Sequence, residues 1–176
     1  EILYQLGIDS PDLNKTDILH ALNDKVYENI KKDKDTIIII DEAHLIKETE
    51  IYEELRLLLN FQLNNRFLIT LILLGQPELK ERINSIPQFE QRISVRYHIY
   101  PFDFNEMVRY IAFRIKKAGM NKFVFSKEAL KKIYEYSGGV PRKINNICDL
   151  SLLVASSKRA SIVDSKTVAE LIDERK

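Results

Sequence analysis

Thr36-Ile37-Ile38-Ile39-Ile40-Asp41-Glu42 is the stretch on which the reading of this chain turns. Its five β-branched residues show no polar alternation, which is how a parallel strand buried on both faces reads. Two carboxylates then stand side by side at its carboxyl end, the end at which open α/β sheets bind ligands. A rigid strand holds Asp41 where it can meet a Mg²⁺ ion, often through water. The local geometry turns Glu42 the other way, to orient and activate a water for attack on phosphorus. This is a Walker B arrangement; the plainer alternative is that Asp41 caps the helix that follows and Glu42 faces solvent.

Working outward, residues 16 to 30 place Ile18, Leu22, Val26 and Ile30 at four-residue steps with Leu19 and Tyr27 beside them. That spacing predicts an amphipathic helix, started near Asn14 or Thr16, lying on a sheet. After the Asp41-Glu42 pair a helix is expected from 48 to 60, with Ile51, Leu55, Leu58 and Leu59 on one face. A second buried strand at 68 to 74 ends at Gly75 and Pro77, completing a βαβ unit with a right-handed crossover. A short helix over 78 to 84, a turn at Pro87 and a third strand over 95 to 100, closed by Pro101, follow. From Asn105 the pattern is helical throughout: 105 to 118, 126 to 137, 141 to 157 and 165 to 174, with Gly119 and Gly138-Gly139 as stops and Pro141 in a first turn. The expected architecture is an α/β core over residues 1–103, with a three-layer parallel sheet that is incomplete, and an all-helical lid over 104–176.

The 176 residues are 45% hydrophobic and 30% charged, with a formal charge of +1. These are globular proportions with no overall pull toward nucleic acid or a membrane surface. The apolar runs at 36 to 40 and 67 to 74 are far shorter than the roughly 20 residues a membrane span needs. The single cysteine, Cys148, falls in an apolar helical pattern, which points to the core and to a reducing, cytoplasmic setting.

Further candidates lie downstream. Gln76, at the end of the second strand, would stand beside the acid pair, and its amide can both donate and accept, which suits sensing a γ-phosphate or positioning water. Gln91-Arg92-Ile93-Ser94-Val95-Arg96 offers two guanidiniums suited to completing a neighbouring subunit's phosphate site, Arg92 ahead of Arg96. Gly138-Gly139-Val140-Pro141-Arg142 puts a cation in a helix's first turn, where the dipole opposes it. It needs another reason: reach toward β,γ-phosphates, or a salt bridge to Asp149 or Glu135. Asp41-Glu42-Ala43-His44 also spells a helicase box, but the strand ending in Leu74-Gly75-Gln76-Pro77 and the helical bundle do not continue as a helicase would. His44 reads as a surface residue or one just behind the site.

Taken in order, Ile39-Ile40-Asp41-Glu42-Ala43, Glu54-Leu55-Arg56-Leu57-Leu58-Leu59-Asn60, Leu73-Leu74-Gly75-Gln76-Pro77-Glu78-Leu79, Gln91-Arg92-Ile93, Tyr110-Ile111, Ala118-Gly119 and Gly139-Val140-Pro141-Arg142-Lys143-Ile144-Asn145 resemble the AAA ATPase domain of the general secretion pathway protein A family. The resemblance implies a partial P-loop NTPase of the AAA+ type. It also implies an oligomeric, cytoplasmic ATPase, tethered in some members to the inner membrane, that uses ATP and Mg²⁺ and works with an inner-membrane partner in secretin assembly. In that pattern Asp41 serves the metal, Glu42 the water, Gln76 is the first sensor, Arg92 the finger and Arg142 the second sensor, with Arg96 as the other arginine. One departure matters: such ATPases cradle phosphates on a Gly-x-x-x-x-Gly-Lys-Ser/Thr loop, and no glycine here is followed by lysine. The resemblance places that loop before Glu1, on a strand between the Gln76 strand and the Val95 strand. The chain alone is therefore expected to bind ATP weakly or not at all, and its open strand edges to favour self-association. The alternative from another class is a DNA-associated helper ATPase for transposition or replication, which the basic groups at 114 to 117 and Lys158-Arg159 permit.

Overall fold

The computed structural model describes residues 2–8, 14–63 and 66–174. They divide into two compact units, one within residues 1–96 and the other within 97–176.

The first unit opens with a short helix, α1 (Ile2–Gln5), and the long α2 (Lys15–Lys31). Asn14 starts α2: its side-chain oxygen accepts from the backbone N–H groups of Thr16 and Asp17, at 2.9 and 3.0 Å, satisfying two donors the helix leaves unpaired. Leu22 and Val26, from the four-residue apolar row, are the buried residues of that helix. Strand β1 (Thr36–Ile40) pairs in parallel with β4 (Ile69–Leu73), Thr36 opposite Ile69 and Ile40 opposite Leu73. Between them run α3 (Thr49–Leu58) and a small antiparallel hairpin, β2 (Gln62–Leu63) with β3 (Arg66–Phe67). After β4 come α4 (Glu78–Asn84) and α5 (Pro87–Glu90).

The α/β fold with a parallel strand pair is the one the sequence predicts, but three details differ. First, β1 is covered on one face only: Thr36 and Ile38 are buried, whereas Ile37 and Ile39 are 56% and 60% exposed. An unbroken apolar run reports hydrophobicity and does not report faces; the described elements pack on one side of the β1–β4 pair, and the period-two pleat turns alternate residues to the other. Second, residues 95 to 100 form no strand, and Val95, Tyr97, Ile99 and Tyr100 are exposed. A strand exists by sharing backbone hydrogen bonds with a neighbour, and no described strand pairs with this segment. Third, α3 buries Tyr52 with Leu55 and Leu58, while Ile51 is exposed. The Tyr52 hydroxyl donates to the Ala43 carbonyl at 3.0 Å, and its ring meets Phe89 edge-on at 5.4 Å, so a polar tip is satisfied inside the core.

The second unit is helical: α6 (Phe104–Lys117), α7 (Lys127–Ser137), α8 (Pro141–Ser157) and α9 (Ser165–Asp173). Asp103 and Glu106 form a reciprocal capping box at α6, Ser126 caps α7 and Asp164 caps α9. Acceptance of the Thr167 N–H holds the Asp164 carboxyl below its ordinary range. Met107, Ile111, Ile133, Ile144, Ile147, Val163 and Val168 make one buried cluster. Gly139, at φ +77°, is the residue its turn demands: a Cβ there would lie 2.0 Å from the Phe102 carbonyl oxygen. With no Cβ in the way, the Phe102 N–H donates to the Gly139 carbonyl at 3.0 Å.

Candidate functional site

The ends of β1 and β4 meet by backbone bonds that extend beyond the strands. The Leu74 N–H donates to the Ile40 carbonyl at 2.9 Å, and the Ala43 N–H donates to the Leu74 carbonyl at 2.8 Å. Ala43 is fully buried, and its own carbonyl takes the Tyr52 hydroxyl. The turn after β1 is thus pinned from two sides. Between these anchors Glu42 adopts the left-handed conformation, φ 53° and ψ 32°, uncommon for a residue with a Cβ. Asp41 Oδ1 accepts from the Glu42 N–H at 2.8 Å and steadies the bend. Left-handed backbone costs on the order of 1–3 kcal/mol and persists where surrounding structure imposes it.

Asp41 and Glu42 are both exposed at the carboxyl end of the parallel pair, and the Glu42 side chain caps no helix end. Gln76 follows β4 by three residues, with its amide side chain exposed and without a partner among the described residues. Its backbone N–H points at His44 Nδ1, 3.4 Å away, and the same nitrogen lies 3.4 Å from Glu42 Oε2. His44, expected at the surface or just behind the site, has a side chain only 11% exposed against 60% for Glu42. The structure therefore brings Asp41, Glu42, His44 and Gln76 together in the first unit.

The arginines are placed differently. Arg92 Nη2 donates to Asn60 Oδ1 at 3.0 Å, a neutral partner, and among the described residues no carboxylate pairs with it. Arg96 is committed to neighbours, donating to Asn84 Oδ1 and to Glu90 Oε1, both at 2.9 Å. Arg142 stands in the first turn of α8 in the second unit, exposed, and among the described residues it pairs with neither Glu135 nor Asp149. Cys148 is buried, and burial, with the Asp149 charge adding to it, pushes its thiol up to about 12, the behaviour of a core residue and not of a nucleophile.

No three His, Cys, Asp or Glu side chains converge as a metal cage among the described residues. A Mg²⁺ ion bound with a nucleotide takes one or two protein carboxylates, and phosphate and water oxygens complete its shell. The exposed Asp41 carboxylate at a strand's end fits that mode.

Comparison with known proteins defines the fold. The AAA domain family model matches residues 1–83. Over 98% of the chain the fold superposes on the ADP form of Aeropyrum pernix ORC2 with a TM-score of 0.72 at 21% identity, covering 48% of that protein. A Thermotoga maritima RuvB variant gives a TM-score of 0.58 at 14% identity, over 93% of this chain and 58% of that one. The chain has the fold of the AAA+ P-loop ATPases and, over residues 1–83, the sequence pattern of the AAA domain family. In sequence it is 34% identical to general secretion pathway protein A of Aeromonas hydrophila over 158 residues, 88% of this chain and 28% of that protein. It is also 31% identical over 143 residues to an uncharacterized HTH-type transcriptional regulator of Methanocaldococcus jannaschii, 78% of this chain and 34% of that protein. The chain thus spans about a third of the curated relatives it matches.

Proposed function

We propose that this chain contributes the hydrolytic half of an ATP-hydrolysing AAA+ ATPase of the general secretion pathway protein A type, one that assists secretin assembly. The observation that carries the ATPase reading is the juxtaposition at the ends of β1 and β4 of two exposed carboxylates and an exposed amide, on backbone pinned at the buried Ala43 and at His44. Asp41 would hold Mg²⁺, which supplies neutralisation of charge on the phosphates when nucleotide is bound. Glu42 orients the attacking water and accepts its proton, and Gln76 donates to the oxygen that gathers charge. Arg92, whose partner is neutral, serves a neighbouring copy's phosphate site in a homo-oligomer, and Arg142, exposed in the first turn of α8, serves nucleotide phosphates. Arg96 is the weaker finger because its guanidinium already serves Asn84 and Glu90.

The secretion role, cytoplasmic location and inner-membrane partner rest on the kinship at 34% identity. Among the described residues no helix is long and apolar enough to cross a membrane. The test is ATP turnover by a polypeptide carrying this chain together with a glycine–lysine phosphate loop. Glu42→Gln should lower kcat by about 10²-fold or more while nucleotide still binds; unchanged turnover would remove Glu42 from the mechanism. The chain alone should bind ATP weakly or not at all. The relative described as an HTH-type transcriptional regulator favours a second reading, a DNA-associated helper ATPase. Salt-dependent DNA binding, with log K falling linearly against log salt, would select it.

A further inference from the structure

His44 shares one ring nitrogen between the Gln76 turn and the Glu42 carboxylate. Nδ1 lies 3.4 Å from the Gln76 backbone nitrogen and 3.4 Å from Glu42 Oε2. An imidazole nitrogen is either an acceptor or a donor, depending on which ring nitrogen carries the proton. With the proton on Nε2, Nδ1 accepts the Gln76 N–H; with the proton on Nδ1, it donates to the Glu42 carboxylate. It cannot do both.

The surroundings make this a built arrangement. Gly75 has no positive φ to explain a glycine, yet a Cβ there would sit 3.3 Å from His44 Nδ1, 3.2 Å from the His44 backbone nitrogen and 3.0 Å from Leu79 Cδ2. The missing side chain lets the Gly75-Gln76 turn descend onto the imidazole. The preceding residue, Ala43, is fixed by the Leu74 carbonyl and the Tyr52 hydroxyl, so the ring has little freedom to follow either partner away.

We propose that His44 is a positioning residue that couples the Gln76 turn to the Glu42 carboxylate. When the turn is seated, its N–H occupies Nδ1 and Glu42 is free to swing to the attacking water. When the turn lifts, Nε2 gives its proton to water, Nδ1 takes one from water, and the ring then donates to Glu42 and holds it out of use. Phosphate sensing by Gln76 and water activation by Glu42 are then one event. This rests on the ATPase reading, and its test has one arm that needs no nucleotide.

That arm is amide hydrogen exchange and ring-nitrogen NMR on the chain itself. His44→Leu should speed exchange of the Gln76 amide roughly fivefold, the worth of one neutral hydrogen bond. His44→Asn should hold it near the unaltered rate, because Asn Oδ1 takes the place of Nδ1, and Glu42→Gln should shift the His44 ring-nitrogen signals. The second arm is turnover in the polypeptide with its phosphate loop. His44→Leu should lower kcat between about tenfold and a hundredfold with KM little changed, as misplacement of a working group does, and Asn should restore part of it. Unchanged Gln76 exchange in His44→Leu overturns the inference. So does turnover that Glu42→Gln abolishes and His44→Leu leaves intact, in which case the ATPase reading stands; no turnover in the unaltered polypeptide sinks the reading first.

Discussion

The helical unit and the α/β unit bury their apolar residues in different ways. In the helical unit Met107, Ile133, Ile144 and Ile147 are sealed from water, and three of its four helices begin on a capping side chain. In the α/β unit the β1–β4 pair buries Ile38 and Ile69 but turns Ile37, Ile39 and Ile72 outward. The cause is where each element keeps its hydrogen bonds. A helix satisfies its backbone internally, so a few helices close a core without an edge; a strand shares its bonds with neighbours, so two strands leave edges and a face. Asp41, Glu42, His44 and Gln76 sit in the unit that is open.

If this contrast is right, the helical unit should be intolerant of substitutions that the open face accepts. The largest effect is expected at Gly139. Gly139→Ala combines a positive φ with a Cβ 2.0 Å from the Phe102 carbonyl oxygen and should cost more than about 4 kcal/mol in urea unfolding. Gly138→Ala, also at positive φ but with open space around its Cβ, should cost far less. Equal losses would mean that backbone conformation, not the close approach of Phe102, requires the glycine. Next, Ile147→Ala in the sealed core should cost about 2–5 kcal/mol, whereas Ile39→Ser on the open face should change stability by less than about 0.5 kcal/mol. The serine should also reduce concentration-dependent self-association in sedimentation; a large loss of stability there would show that the face is covered in solution.

A smaller effect concerns Cys148. Its folded thiol titrates near about 12, well above the roughly 8.5 of an unfolded thiol, so the folded state holds the proton more tightly. The stability this confers is complete below about pH 8.5 and is lost as pH rises toward 12. Urea midpoints should fall with a loss of roughly 1 kcal/mol between pH 7 and 9, and Cys148→Ala should flatten that slope.

Much of the scaffold was legible in the chain itself. Four-residue apolar spacing found α2, the stop and cap residues found the four helices of the second unit to within a residue or so, and Asp41-Glu42 with Gly75-Gln76 marked the ends of two strands that do pair in parallel. Residues 95 to 100 were misread because β-branched composition states a preference for strand and cannot supply a partner. Tyr52 was passed over in favour of Ile51 because a tyrosine scores as half-polar until a buried carbonyl such as that of Ala43 is found for its hydroxyl.

The site divides along the same line. Residue types and their order were enough to nominate Asp41, Glu42, Gln76, Arg92, Arg96 and Arg142 as candidates, because catalytic groups must carry particular charges and donors at strand and helix ends. The pairing of Arg96 with Asn84 and Glu90, the neutral partner of Arg92 and the nitrogen of His44 set between Glu42 and Gln76 came only from the tertiary structure. Local sequence dictates which element a residue joins and which chemistry it offers, whereas contacts such as Arg96–Asn84, 12 residues apart, and Arg92–Asn60 and His44–Gln76, each 32 apart, exist only once the elements have packed.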